Sequence, residues 1–299
     1  MRWRADARQR KGFSKLNEMM RTVVTGGTGY LGTFVRNFFG AEDFSRRSGF
    51  DVRDEQAVER IADYDIVIHL AAHFDKSPDG ASECFRTNAI GTANVLRNMK
   101  PGAIFIYAST KDVYGNHAED LEFVDEHTST DYSGQSAFEW SKLMGERYVE
   151  YYAHARNLRA CIFRLSTIFA RPSEDNASGI VTHYVESVKH RLPVRLPAEV
   201  DPVRDILYVD DFSRACRAFI NSRIEFGRYN LGGGRLNAIS LRELLKKIGT
   251  IVEIEPVIQD DPALPAPVPL RYVSDTKHVE KELDWRPQIG IDHGISVIL

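Results

Sequence analysis

The chain has 299 residues, 43% hydrophobic and 27% charged, with 39 Lys and Arg against 42 Asp and Glu for a formal net charge of -3. That length gives one large or two moderate domains a full core, and the near-neutral balance provides no field to recruit nucleic acid or an anionic membrane. No apolar run approaches the ~18 residues that span a bilayer, and Cys84, Cys161 and Cys216 lack metal-ligand spacing, so they read as buried thiols of a cytoplasmic protein.

Residues 1–19 carry Arg2, Arg4, Arg8, Arg10, Lys11 and Lys15 without a long apolar stretch, which is not the pattern of a secretory signal. We read them as an N-terminal extension ahead of a folded unit that begins near Met20. Thr22-Val23-Val24-Thr25 then forms a β-branched strand, followed by Gly26-Gly27-Thr28-Gly29-Tyr30-Leu31-Gly32 and a helical pattern. In such a strand–turn–helix, Gly26 permits the tight turn, Gly29 lets backbone approach a pyrophosphate, and Gly32 lets helix and strand pack closely. Tyr30 and Leu31 complete the loop, and the helix start offers free N–H groups to phosphate. The apolar runs Asp65-Ile66-Val67-Ile68-His69-Leu70 and Ala103-Ile104-Phe105-Ile106-Tyr107-Ala108, with helical patterns between them, predict a parallel sheet with crossovers.

The Gly-x-x-Gly-x-x-Gly spacing, with His69-Leu70-Ala71-Ala72 and Tyr107-Ala108-Ser109-Thr110-Lys111-Asp112-Val113-Tyr114-Gly115 after it, resembles the extended short-chain dehydrogenase/reductase superfamily. Within it, the chain looks like the NAD-dependent nucleotide-sugar epimerase/dehydratase family. The resemblance implies an α/β fold, a Rossmann doubly wound parallel sheet over 20–165 and a smaller C-terminal α/β substrate-binding domain over 166–299. Part of the chain near 203–230 is expected to return to the Rossmann sheet. The family implies cofactor contacts from Leu70, Ala71 and Ala72, a buried anchor at Asn88, and an adenine contact at Asp51 beside Val52. NAD-using members carry an acid at the end of the second strand. This chain has Phe44-Ser45-Arg46-Arg47 there, and Arg46 and Arg47 suit a 2′-phosphate, so NADP is slightly preferred over NAD.

Ser136-Ala137-Phe138-Glu139-Trp140-Ser141-Lys142 resembles the family's Tyr-x-x-x-Lys helix with phenylalanine in place of tyrosine. In the family the tyrosine is the acid/base, its pKa of about 10 lowered by nearby positive charge. The lysine also holds the nicotinamide ribose, and a Ser or Thr, matched by Thr110, shares the proton path. Three explanations of Phe138 stand open: a Tyr→Phe replacement that disables the enzyme, an enzyme using another base such as Lys111 or Asp112, and a protein that binds without turnover. Lys111-Asp112 replaces the Asp-Glu pair of the family's 4,6-dehydratases, which removes the carboxylic acid donor and favours epimerisation.

The same resemblance assigns substrate contacts to Lys111 and Asp112 and to three residues further along. Thr167, in Arg164-Leu165-Ser166-Thr167, stands where an Asn is usual, and Arg204, in Arg204-Asp205-Ile206-Leu207-Tyr208-Val209-Asp210-Asp211, is the diphosphate arginine. Arg271 is a candidate replacement for an arginine missing from the loop between Asp260 and Pro269. Asp205, Asp210 and Asp211 read as helix caps. The expected substrate is a nucleotide-diphosphate sugar bound by a homodimer paired through Thr87–Asn98 and Phe138–Ala155, with no metal, nucleic acid or membrane. The rival readings are a dehydratase, an NADPH-dependent keto-sugar reductase and a non-catalytic dinucleotide-binding regulator.

Overall fold

A computed structural model describes residues 20–172 and 179–299, so the N-terminal extension lies outside the described residues. Six parallel strands form the main sheet: β1 (Thr22–Thr25), β2 (Glu42–Phe44), β3 (Ile66–His69), β4 (Ile104–Thr110), β5 (Arg159–Leu165) and β9 (Phe226–Leu231). Their order is β2-β1-β3-β4-β5-β9. Successive residues face opposite sides of a strand, and both sides are apolar here. Val24, Ile66, Ile68, Ile104 and Ile106 enter one core with α1 (Gly32–Phe39) and α5 (Val209–Asn221). Val23, Val67, Phe105 and Tyr107 enter the other. This second core is covered by α2 and by α3 (Ala137–Ala155). Helix α2 runs through Ala81–Cys84, a wider π-helical stretch Phe85–Gly91 and Thr92–Asn98. Burial on both faces is why these strands read as unbroken apolar runs.

The chain leaves β1 for β2 on one side and returns to β3 on the other, so the strand order reverses at β1. In this doubly wound, Rossmann arrangement the diverging connections open a crevice at the carboxyl ends of the strands.

A smaller sheet carries β8 (Val203–Tyr208), flanked by β10 (Ala238–Ser240) and β12 (Arg271–Tyr272), with β6 (Thr167–Phe169) also paired to β8. Around it lie α4 (Ile180–Lys189) and α6 (Leu241–Val252), the two-stranded pair of β7 (Val194–Pro197) and β11 (Ile258–Asp261), α7 (Lys277–Leu283) and α8 (Ile291–Ile298). Ser240 caps α6, its hydroxyl accepting from the Glu243 N–H while Glu243 accepts from the Ser240 N–H, the reciprocal box expected of Ser-x-x-Glu. The segment that returns to the main sheet is Phe226–Leu231, whereas Val203–Tyr208 stays in the small sheet. Among the described residues, no helix is long and apolar enough to cross a membrane.

Two acids expected to cap a helix do other work. Tyr208 precedes α5 and gives it no side-chain cap. Asp205 is fully buried within β8 and accepts from the N–H groups of Gly234 and Ser274 (both 3.1 Å) and from the Ser166 hydroxyl. A Cβ at Gly232 would lie 2.0 Å from its Oδ2, so the approach needs glycine. Asp211 accepts from the N–H groups of Gln288 (2.8 Å) and Ile289 (2.9 Å), docking the C-terminal tail onto α5. Spacing from a helix start suggests a cap; only long-range contacts reveal a tether. Asp211→Ala, which strands these donors, is expected to cost about 3 kcal/mol in a denaturant melt.

Candidate active site

The crevice at β1 is a cavity of about 260 Å³ lined by Gly26, Gly29, Arg46, Arg47, Asp51, Val52, Leu70, Ala71 and Ala72, all expected there. Gly26 has φ +69°, and a Cβ on it would stand 2.8 Å from the Ala71 nitrogen. A Cβ on Gly32 would stand 2.0 Å from the Gly26 carbonyl oxygen. The bare turn therefore lets the α1 start and the Leu70–Ala72 segment close on one backbone-lined cradle, which fits a pyrophosphate. Gly32 supports that cradle from behind. Leu31 packs against the core, and the Tyr30 phenol reaches the substrate side, accepting from the Ala170 N–H (2.8 Å) and lying 2.7 Å from Thr182 Oγ1.

At the Asp51 end of the cavity the structure shows pairings that motif reading missed. Asp51 lines the cavity and is paired there: Arg53 Nε meets both of its oxygens at 3.0 Å, and Arg53 also pairs with Glu83. The Arg53 guanidinium holds the Asp51 carboxyl below its usual range. From β2 and the turn after it, Phe44, Ser45, Arg46 and Arg47 face the cavity, while Asp43 is not part of its lining. Asp43 is engaged by the Ser45 hydroxyl (2.8 Å), which in turn accepts from Thr28 (2.9 Å).

Behind the cradle, His69 is fully buried between Thr25 Oγ1 (2.8 Å from Nδ1) and Thr92 Oγ1 (3.0 Å from Nε2). Thr92 spends its proton on the Asn88 carbonyl (2.7 Å), so it accepts from His69 Nε2–H. Nδ1 is then the acceptor for Thr25, whose oxygen takes the Ala71 N–H (3.2 Å). Burial, reinforced by the Lys142 charge, pushes the imidazole down to about 3. Asn88, in the π-helical stretch, accepts from the His73 N–H (2.7 Å) and donates to the His73 carbonyl and Ser141 Oγ (both 2.9 Å). It ties the Leu70–His73 loop to α3 rather than facing the cavity.

Ser136 starts α3, with Glu139 completing a capping box, and places Phe138 and Lys142 one turn apart on one face. Lys142 is buried with its Nζ 4.3 Å from the centre of the Tyr107 ring. Burial pushes the amine down to about 7 against the pull of Glu146. Phe138 is also buried and meets Phe74 edge-on, with centroids 4.6 Å apart. Below them Glu146 accepts from the Ser109 hydroxyl (2.6 Å) and from Arg164 (2.7 Å), and Arg164 donates to the Tyr114 oxygen (3.0 Å).

Thr110 ends β4 and accepts from the Asp112 N–H (3.2 Å). Lys111 pairs with Asp112, whose other oxygen takes Lys76 Nζ (2.9 Å). Burial opposes the Asp112 charge, but the two ammoniums outweigh it and hold the carboxyl far below its ordinary range. Lys111 Nζ lies 4.9 Å from the centre of the Tyr272 ring, and Tyr272 stands across the ladder from Arg204. Arg204 donates to the carbonyls of Val203 (2.7 Å) and Leu270 (3.1 Å). Thr167 begins β6 opposite Ile206. Arg271 precedes Tyr272, and successive strand residues face opposite sides, so it is turned away from Lys111. The structure thus groups Thr110, Lys111, Asp112, Phe138 and Lys142 at the ends of β4 and α3, with Arg204 approaching from the small sheet. Lys76, Phe74 and Glu139 join them, and no motif announced the first two.

The model of the NAD dependent epimerase/dehydratase family matches residues 22–232. The chain belongs to this family. It is 26% identical to the CDP-paratose 2-epimerase of Salmonella typhi, with 93% of this chain and 97% of the relative aligned. It is 28% identical to a dTDP-glucose 4,6-dehydratase of Mycobacterium tuberculosis, with 90% and 88% aligned. The fold is shared with the UDP-glucose 4-epimerase of Thermotoga maritima at a TM-score of 0.78 and 22% identity, over 93% of this chain and 97% of that one.

His69 also yields a pH prediction for this family member. Its native pKa lies below the unfolded value, so between about pH 6.5 and 3 the unfolded chain binds the extra proton and stability falls as pH falls. Relative to His69→Gln, the chain should lose about 1.4 kcal/mol per pH unit across that window in acid-dependent denaturant melts.

Proposed function

We propose that the chain is a nucleotide-diphosphate-sugar epimerase that works through a transient keto-sugar with tightly held NAD(P), in a form impaired by Phe138. The observation that carries this reading is the pairing of an intact Thr110–Lys142 frame with an Asp112 held ionised between Lys111 and Lys76. Eliminating water across a sugar requires an acid beside the base. A carboxylate clamped by two ammoniums is a poor proton donor, which favours epimerisation over dehydration. When bound, the nicotinamide takes up and returns a hydride. The chain's residues would do the rest: the glycine cradle would hold the pyrophosphate, and Lys142 the nicotinamide ribose. Arg204 would meet the substrate diphosphate, and Thr110 the reacting hydroxyl.

Positioned acid/base catalysis is worth about 10²–10⁴-fold. Phe138→Tyr should therefore raise turnover by that factor on one member of a panel of UDP-, CDP-, TDP- and GDP-sugars. Proton NMR in D₂O should show interconversion without solvent deuterium. If the cofactor binds and neither form turns over any sugar, the reading gives way to a dinucleotide-binding regulator.

For the cofactor we propose a preference for NADP. It is supported by Arg46 and Arg47 at the cavity wall and by the engagement of Asp51 and Glu83 with Arg53. Replacing Arg46 and Arg47 together by Ala should weaken NADPH binding about 10-fold or more and leave NADH within about 3-fold, read by nucleotide fluorescence. A homodimer through α2 and α3 is supported by the exposed Ile90, Met144 and Tyr151 on those helices.

A further inference from the structure

We propose that Lys111 is the proton-transferring residue of this chain's own turnover, with Asp112, Lys76 and Glu139 positioning it in a chain of alternating charges around Phe138. This inference rests on the epimerase reading and adds a residue to it.

Position 138 has a ring but no oxygen, with Phe74 packed on that ring, and Lys142, the titratable group one turn along α3, is the one proposed to hold the nicotinamide ribose. Beside Thr110 the arrangement is different. The Lys111 side chain is only 11% exposed. A buried ammonium is costly unless it is paired, and its partner Asp112 is shared with Lys76 Nζ (2.9 Å). Lys76 also meets Glu139 Oε1 (2.7 Å), and the other Glu139 oxygen accepts from the Ser136 N–H (2.7 Å) and hydroxyl (2.5 Å). The signs alternate from the buried amine to Lys76, whose side chain is 47% exposed. Asp112 thus anchors the Lys111 amine, and Lys76 and Glu139 anchor Asp112 in turn.

Four groups face Lys111: Asp112 beside it, Lys76 from the loop after β3, Arg204 from β8 and the Tyr272 ring from β12. Burial dominates, and it joins Arg204 and Lys76 in pushing Lys111 toward the neutral amine, while Asp112 opposes them. In the step itself, the reacting sugar hydroxyl breaks its O–H bond and an N–H bond forms at Lys111. The electron pair of the neighbouring C–H bond leaves as hydride to the oxidised nicotinamide, and C–O becomes C=O. Return of the hydride to the opposite face and of the proton to oxygen completes the inversion.

The test uses Lys111→Met and Lys111→Arg, each in the Phe138 chain and in the Phe138→Tyr background, on the sugar that Phe138→Tyr interconverts. Arginine keeps the cation and the ion pair with Asp112 but does not give up its proton. Both substitutions should lower turnover of the Phe138 chain about 10²-fold or more and cost the Phe138→Tyr form a clearly smaller factor. In parallel, ¹³C-lysine NMR should show a resonance that vanishes in Lys111→Met, titrates at least about one unit below bulk lysines and drops further in Asp112→Asn. Three results overturn the inference while leaving the epimerase reading intact: undiminished turnover in Lys111→Arg, equal losses in both backgrounds, or a Lys111 resonance that titrates with the bulk. Failure of Phe138→Tyr to turn over any sugar overturns both.

Discussion

The active site rests on one buried ion pair. Glu146 and Arg164 are 1% and 3% exposed and meet at 2.7 Å beneath the ends of β4 and α3. Neither charge is tolerable there alone; attraction exceeds desolvation only because further hydrogen bonds complete the site. Those bonds go to Ser109 on β4 and to Tyr114 in the turn after it, and Tyr114 continues to Asn230 on β9 (2.6 Å). One network therefore sets the position of the strand end carrying Thr110, the helix carrying Lys142 and the strand that brings the chain back to the main sheet. Burial cancels much of the stability such a pair offers. Its consequence is geometric, because any other arrangement would leave a buried charge unmatched.

Above that floor, two polar relays divide the labour. Thr25, His69, Thr92 and Asn88 fix the loop against which a dinucleotide would lie, and they do so with a histidine kept neutral by burial. The Lys111–Asp112–Lys76–Glu139 chain links the turn after β4 to the start of α3, and it does so with full charges. Tyr30 joins the halves, its phenol bound between Ala170 and Thr182 while its backbone belongs to the glycine loop.

Much of this was legible in the chain. Unbroken apolar strands specify a sheet buried on both faces, the glycine spacing specifies a tight turn into a helix, and Ser-x-x-Glu specifies a helix start. Each of these signals is local, carried by steric freedom or by hydrogen bonds across a few residues. Motif matching also put Leu70–Ala72 at the crevice, beside the glycine turn. It did less well wherever a side chain's role depends on a distant partner. No motif showed that Arg53 pairs with Asp51, and Asp205 and Asp211 looked like caps until their donors came from Gly234, Ser274 and the C-terminal tail.

By itself, then, the sequence determined the doubly wound sheet and the glycine turn at its crevice, because backbone sterics and strand periodicity act at short range. Tertiary structure alone decided that Lys76 reaches Asp112 and Glu139, that Phe74 covers Phe138, and that the Tyr272 ring stands against Lys111. Those contacts join residues 36 to 161 positions apart, and the charge and proton state of each group follow from which neighbours and how little water the fold leaves around it.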